Sequence, residues 1–111
     1  MVSRMRMPVN VEVPHERFPP VIEASAYFVV AESLTNVAKH AAAKSADVRV
    51  WVDDGVLHID VRDDGVGGAR SDGSGLLGLE DRLAALGGRL RVESASGRGT
   101  RIAATLPLPQ R

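Results

Sequence analysis

Four residues with the means to do chemistry lie close together in the stretch Glu32-Ser33-Leu34-Thr35-Asn36-Val37-Ala38-Lys39-His40. At about 100° per residue, a helix would bring Glu32, Asn36, Lys39 and His40 into one narrow sector. A carboxamide oxygen is a hard ligand that suits a magnesium ion carried mainly by phosphates. Lys39 can meet the same phosphates as a point charge. Glu32, one turn earlier, can polarise a hydroxyl, a water or an imidazole that attacks a terminal phosphate. The same four residues also fit the solvated side of an ordinary amphipathic helix, and the helix alone does not choose between the two.

Two glycine-rich stretches downstream bear on that choice. In Asp63-Asp64-Gly65-Val66-Gly67, an inward carboxylate beside two glycines can accept a hydrogen bond from an exocyclic amine. The glycines let the backbone close on a flat ring. Taken alone, Asp-Asp-Gly is also ordinary turn chemistry. In Gly73-Ser74-Gly75-Leu76-Leu77-Gly78-Leu79, glycines run straight into a helix N-terminus. Free N–H groups and the positive end of the helix dipole suit phosphate there, and a flexible linker with a cap is the plainer alternative. The pattern is not a P-loop, for it lacks the Gly-Lys-Ser/Thr ending. It is not a dinucleotide fingerprint either, because no strand leads directly into it.

The elements that must position these residues follow from periodicity. Residues 8–13 alternate apolar and polar and read as a strand. Pro19-Pro20 stops the following loop and starts a helix from about Val21 to Ala43. Tyr27, Val30, Leu34, Val37 and Ala41 fall opposite the polar sector and are expected to face the core. Asp47 to Asp53 alternates again, with Val48, Val50 and Val52 on one face. Asp54-Gly55 demands positive φ and predicts a hairpin. Its second strand, Val56 to Asp63, places Leu57, Ile59 and Val61 on one face and Asp63 with the same parity, pointing inward. An inward acid at a strand end needs a partner.

Asp64 to Gly75 reads as a mobile loop. A helix follows from about Leu77 to Leu86, closed by Gly87-Gly88 as its C-cap. Two strands finish the chain, Arg89 to Ser94 and Thr100 to Leu106, with Thr100, Ile102, Ala104 and Leu106 on one face. The order predicts an α+β two-layer α/β sandwich, with helices on one face of a mixed, mostly antiparallel sheet.

Composition narrows the function classes. With 111 residues the chain makes one domain, 1–111, with its core at about 8–107. Fourteen basic residues balance fourteen acidic ones, which argues against non-specific attraction to nucleic acid or anionic membrane. The absence of cysteine rules out disulfides, thiolate metal sites and a cysteine nucleophile, and suits a reducing cytoplasm. No uncharged apolar run reaches about 18 residues, so no membrane span is expected. The N-terminal residues lack the apolar segment of a signal peptide. Few aromatics argue against base-stacking platforms.

The order of the motifs is specific where each motif is not. Glu-x-x-x-Asn-x-x-Lys-His, then Asp-x-Gly-x-Gly, then Gly-x-Gly-Leu-x-Gly-Leu, then Gly-x-Gly-Thr resembles the ATP-binding domain of the GHKL superfamily, and within it the bacterial sensor histidine kinases. Leu34 to His40, together with Gly75-Leu76-Leu77-Gly78-Leu79-Glu80-Asp81-Arg82, looks like the subfamily whose response regulators carry helix-turn-helix output domains. The resemblance runs from about Pro8 to Pro107.

It implies the Bergerat α/β sandwich, with ATP and magnesium as ligands. On matching positions it implies that Asn36 holds magnesium and Glu32 sits near the phosphoryl acceptor as the catalytic residue. Lys39 and His40 would contact phosphates. Asp63 would bind the adenine amino group in a pocket shaped by Gly65 and Gly67. Gly73, Gly75, Leu76, Leu77 and Gly78 would line the lid and the phosphate side. Thr100 would help at the adenine end, through water, near Asp63.

The lid is short and holds no clear phenylalanine-bearing box. None of His15, His40 and His58 sits in the acidic helical context of a phospho-acceptor. The resemblance therefore implies a catalytic domain that phosphorylates a histidine on a separate dimerisation domain and serves a cognate response regulator. The domain alone would be a cytoplasmic monomer making no contact with nucleic acid or membrane. Its parent would be a homodimer, with or without a membrane anchor. Two rivals share the fold: a serine kinase or anti-sigma regulator, and a non-catalytic interaction domain.

Overall fold

The structure, a computed structural model, describes residues 9–40, 45–64, 76–94 and 99–109. The elements are β1 (Val9–Glu12), α1 (Pro20–His40), β2 (Ala46–Asp53), β3 (Val56–Asp63), α2 (Leu76–Ala84), β4 (Arg89–Ser94) and β5 (Thr100–Pro107). Five strands form one sheet in the order β1-β2-β3-β5-β4. β1 runs parallel to β2, with α1 as the crossover that parallel pairing demands. The other three pairs are antiparallel. The α+β two-layer arrangement expected from the sequence is present, with α1 over β3 and α2 over β4.

Local chemistry explains the boundaries. Pro20 opens α1, where its missing N–H costs nothing. The Pro19 carbonyl accepts from the N–H groups of Ile22 and Glu23 at 2.9 and 3.0 Å. Glu23 reaches back to accept from the Phe18 N–H at 3.0 Å and pairs with Arg17 at 2.8 Å, which fixes the entry of the chain into the helix. Asp54 and Gly55 take φ of 52° and 73°, the left-handed pair of a two-residue hairpin whose twist matches the strands.

α2 starts and ends slightly earlier than the expected Leu77 to Leu86. Gly87, with φ 78°, turns the last residues into a Schellman motif. The N–H groups of Gly88 and Gly87 donate to the carbonyls of Leu83 and Ala84 at 2.7 and 3.0 Å. α1 is described as far as His40; the expected helix end at Ala43 falls in 41–44, outside the described residues.

One expectation is overturned. Tyr27 does not face the core but is 60% exposed, and Phe28 beside it is also exposed. Of the other expected residues, Leu34 is buried and Val30 packs against the core, while Val37 and Ala41 lie outside what the structure describes of side chains; Ile22, Ser25, Val29 and Ser33 complete the buried side of α1. Serine can take a place on the buried side because its hydroxyl can bond within the helix; Ser33 Oγ donates to the Val29 carbonyl at 2.6 Å. Counting apolar residues alone therefore placed Tyr27 wrongly and passed over the buried serines. The core joins this side to Leu79 and Leu83 of α2 and to Ala46, Val48, Leu57, Ile59, Val61, Ile102, Ala104 and Leu106 of the sheet. Each fully buried aliphatic side chain contributes about 1.5–3 kcal/mol.

Candidate functional site

The site is built at one end of the sheet, where β3 finishes and β5 begins. Register sets Asp63 directly opposite Thr100, and on its other side opposite Ala46. Facing residues of an antiparallel pair hold their Cβ atoms about 4.5–5.5 Å apart. Asp63 shares its parity with the buried Leu57, Ile59 and Val61, and Thr100 with Ile102, Ala104 and Leu106. Both polar side chains thus belong to the helix-covered face, as the alternation predicts. Thr100 is only 8% exposed and Asp63 is half-buried.

Three devices hold that strand end in place. Gly99 adopts φ 81°, and a Cβ on it would overlap the Asp63 carbonyl oxygen outright and lie 3.0 Å from the Asp63 carbonyl carbon. Only glycine allows so close a backbone approach.

The second device involves Ser45 and Asp64, the pair next after Ala46 and Asp63. The Asp64 N–H donates to the Ser45 carbonyl at 3.4 Å. The return bond goes to a side chain: the Ser45 N–H donates to Asp64 Oδ1 at 2.9 Å, and Ser45 Oγ donates to Oδ2 at 3.2 Å.

The third device lies on the opposite face. Asp60, 3% exposed, accepts from Nε of Arg62 and Nε of Arg101, each at 3.0 Å. Arg101 follows Thr100, so this bond fastens the start of β5 to β3. Its guanidinium is held above the ordinary arginine value, first by that hydrogen bond and then by the charge of Asp60.

Of the other residues singled out from sequence, Glu32 lies on α1, half-buried and next to Ser33. Asn36, Lys39 and His40 lie on the last turns of α1, and Leu76 and Leu77 open α2; the side chains of these five are outside what the structure describes. Gly65, Gly67, Gly73 and Gly75 lie outside the described residues. Gly78 is exposed on α2, with open space where a Cβ would stand. The site therefore brings together Asp63 and Thr100 among the described side chains, with Glu32 on the helix layer.

His15 is exposed in the segment before α1, and His58 stacks on Trp51 on the outer face, with ring centroids 5.1 Å apart. Among the described residues, no three histidine, aspartate or glutamate side chains gather as a metal site, and no helix is long and apolar enough to cross a membrane.

Ser45, Asp64, Gly99 and Asp60 were not singled out as site residues. Gly99 had a signal in Gly-x-Gly-Thr just ahead of a strand. Asp60 had none, because strand alternation sends it to the outer face and says nothing of the arginines that cover it.

Comparison with known proteins agrees with this fold. A sensor histidine kinase of Bacillus subtilis, YdfH, is 38% identical over 89 residues, 74% of this chain and 22% of its own. The histidine-protein kinase/phosphatase UhpB of Salmonella typhimurium is 38% identical over 82 residues, 71% of this chain and 16% of its own. The chain thus spans about a fifth of the length of these relatives. The histidine kinase domain of a blue-light activated kinase from Erythrobacter litoralis superposes with a TM-score of 0.80 at 26% identity, over 92% of this chain and 52% of that one. Residues 22–110 match the family described as histidine kinase-, DNA gyrase B- and HSP90-like ATPase. With its motifs in order, its sheet end built around Asp63 and Thr100 and these relatives beside it, the chain belongs to that ATPase family.

Proposed function

We propose that this chain is the ATP-binding catalytic domain of a two-component sensor histidine kinase. It passes the γ-phosphoryl of ATP to a histidine on a dimerisation domain of its parent, and the parent then serves a response regulator, of the helix-turn-helix output class. The observation that carries this reading is the placement of Asp63 opposite Thr100 on the covered face at the end of β3, in a chain of this family.

In this reading Asp63 accepts from the exocyclic amine of adenine, and Thr100 supports the same end through water. Gly65 and Gly67 shape the adenine pocket. Gly73, Gly75, Leu76, Leu77 and Gly78 line the lid and the phosphates. Lys39 and His40 contact phosphate oxygens. Glu32 polarises the attacking imidazole. The carboxamide oxygen of Asn36 is the kind of donor that holds magnesium. Magnesium, when bound, neutralises charge on the phosphates. The chain itself contributes chiefly positioning and fixed charge, as is general for phosphoryl transfer. The domain works in the cytoplasm, away from nucleic acid and membrane; alone it is a monomer, and its parent is a homodimer.

Calorimetry with ATP or a non-hydrolysable analogue plus magnesium tests the pocket. Asp63→Asn should weaken binding by roughly 1.5–3 kcal/mol, about tenfold or more, with the fold unchanged by circular dichroism. Equal affinity of parent and variant would remove Asp63 from the pocket. Absence of phosphohistidine after mixing with the parent's dimerisation domain would overturn the kinase reading itself.

A further inference from the structure

Asp64 is exposed, follows the adenine-directed carboxylate and precedes the glycines, so sequence alone suggests turn chemistry for it. Its bonds say more. In a regular antiparallel pair, Ser45 and Asp64 would exchange both backbone hydrogen bonds. Here one backbone bond remains, and the other is made by the carboxylate, which also takes the Ser45 hydroxyl. A side chain in place of a carbonyl lets the backbone leave β2 at Asp64 while the last register pair, Ala46 with Asp63, stays closed.

The two segments joined are the ones that matter for the site. Ser45 leads out of the connection after α1, the helix carrying Glu32 and Asn36. Asp64 is bonded directly to Asp63.

We propose that Asp64 is a positioning residue for nucleotide recognition. Its clamp on Ser45 holds Asp63 aimed at the base and ties the base end of the site to the segment that leaves α1. The inference rests on the nucleotide reading of the site and adds to it a residue that touches no ligand. Asp64→Ala removes the carboxylate's two bonds to Ser45 and lets the end of β3 fray. Asp64→Asn keeps an acceptor for the Ser45 N–H. Ser45→Ala removes the hydroxyl bond alone.

Binding of ATP and of inosine triphosphate, each with magnesium, separates positioning from bulk stability. Inosine presents an oxygen where adenine presents the amine, so only ATP depends on the aim of Asp63. Asp64→Ala should lose about tenfold in ATP affinity, the effect of one badly aimed charge-assisted hydrogen bond. Inosine triphosphate affinity should stay near the parent's, so the ratio between the two ligands contracts. Asp64→Asn should restore most of that ratio, and Ser45→Ala should fall between. Should Asp64→Ala fail to fold by circular dichroism, the ratios for Asp64→Asn and Ser45→Ala decide in its place.

A parental ratio in well-folded Asp64→Ala and Ser45→Ala, or an equal loss of both ligands, overturns the positioning role while leaving the nucleotide site intact. A parent that binds neither ligand overturns the nucleotide reading and the clamp's role with it.

Discussion

Replacing Gly99 by alanine should damage binding and stability together, and a second glycine provides the control. At Gly99 a Cβ would overlap the Asp63 carbonyl oxygen and stand 3.0 Å from its carbon and 3.2 Å from Asp64 Cα. Carbon atoms pack best at about 3.5–4.0 Å, so the end of β3 must yield by roughly 0.5–1 Å. The φ of 81° adds the left-handed penalty, about 1–2 kcal/mol for a residue with a Cβ. Forcing one carbon into a packed place costs about 1–3 kcal/mol more. The sum, about 2–5 kcal/mol, lowers the thermal midpoint by roughly 10 °C or more in a domain of this size.

Gly88 is crowded in a similar way. A Cβ there would overlap the Thr105 carbonyl oxygen and lie 3.1 Å from Leu106 Cδ2. It stands near the far end of β5, five residues or about 17 Å along the strand from Thr100. Gly88→Ala should therefore lose about 1–3 kcal/mol of stability while the folded fraction binds ATP like the parent. Gly99→Ala should lose stability and at least about tenfold in affinity, because Asp63 moves with its own carbonyl. Melting followed by circular dichroism, and calorimetry on the same samples below both midpoints, compares the two. Parental affinity in Gly99→Ala, or an affinity loss in Gly88→Ala as large as that of Gly99→Ala, would refute the link between Gly99 and the aim of Asp63.

Two further predictions concern charge. Asp60→Ala releases Arg62 and Arg101, whose side chains are already 57% and 40% exposed and so can rehydrate. The loss should be that of charge-assisted hydrogen bonds, about 1–3 kcal/mol, read as a lower urea midpoint at unchanged slope; no shift in midpoint would show the cluster to be idle. Glu23 is held at about 2, against an ordinary 4.5, first by the hydrogen bond from Arg17 and then by the Phe18 N–H. A depressed folded value stabilises above pH 4.5, and that support drains as pH falls toward 2. The gap in thermal midpoint between parent and Glu23→Gln should close across that window, and a gap independent of pH would refute the assignment.

Much of the sheet was legible because it rests on local rules. Asp54-Gly55 dictates a hairpin by its φ values alone, and period-two alternation aimed Leu57, Ile59, Val61 and Asp63 correctly. The pairing of β1 with β2, and the insertion of β5 between β3 and β4, are non-local and leave no mark in any one segment. The face of α1 was legible only in part: Leu34 and Val30 meet the core and Tyr27 does not. Pro20, Val21, Ala24, Tyr27 and Phe28 line its exposed side while Ser25 and Ser33 are buried, so apolar spacing carried two answers. Within the site, Asp63 and Thr100 announced themselves by parity. The clamp from Asp64 to Ser45 did not, since a side chain replacing a backbone carbonyl is a matter of register, and register is settled only when strands meet.

The sheet order has a consequence for synthesis. β5, the last of the five described strands to be made, is not at an edge but between β3 and β4. Until it emerges, those two strands have no partner on the sides that face each other, and one half of the proposed site, Thr100, does not exist. A nascent chain holding everything up to β4 carries the carboxylate but cannot frame it. In the proposed reading, ligand capture and completion of the sheet thus become a single late event, and a chain cut short before Thr100 would expose two strand edges to neighbouring molecules rather than bind weakly.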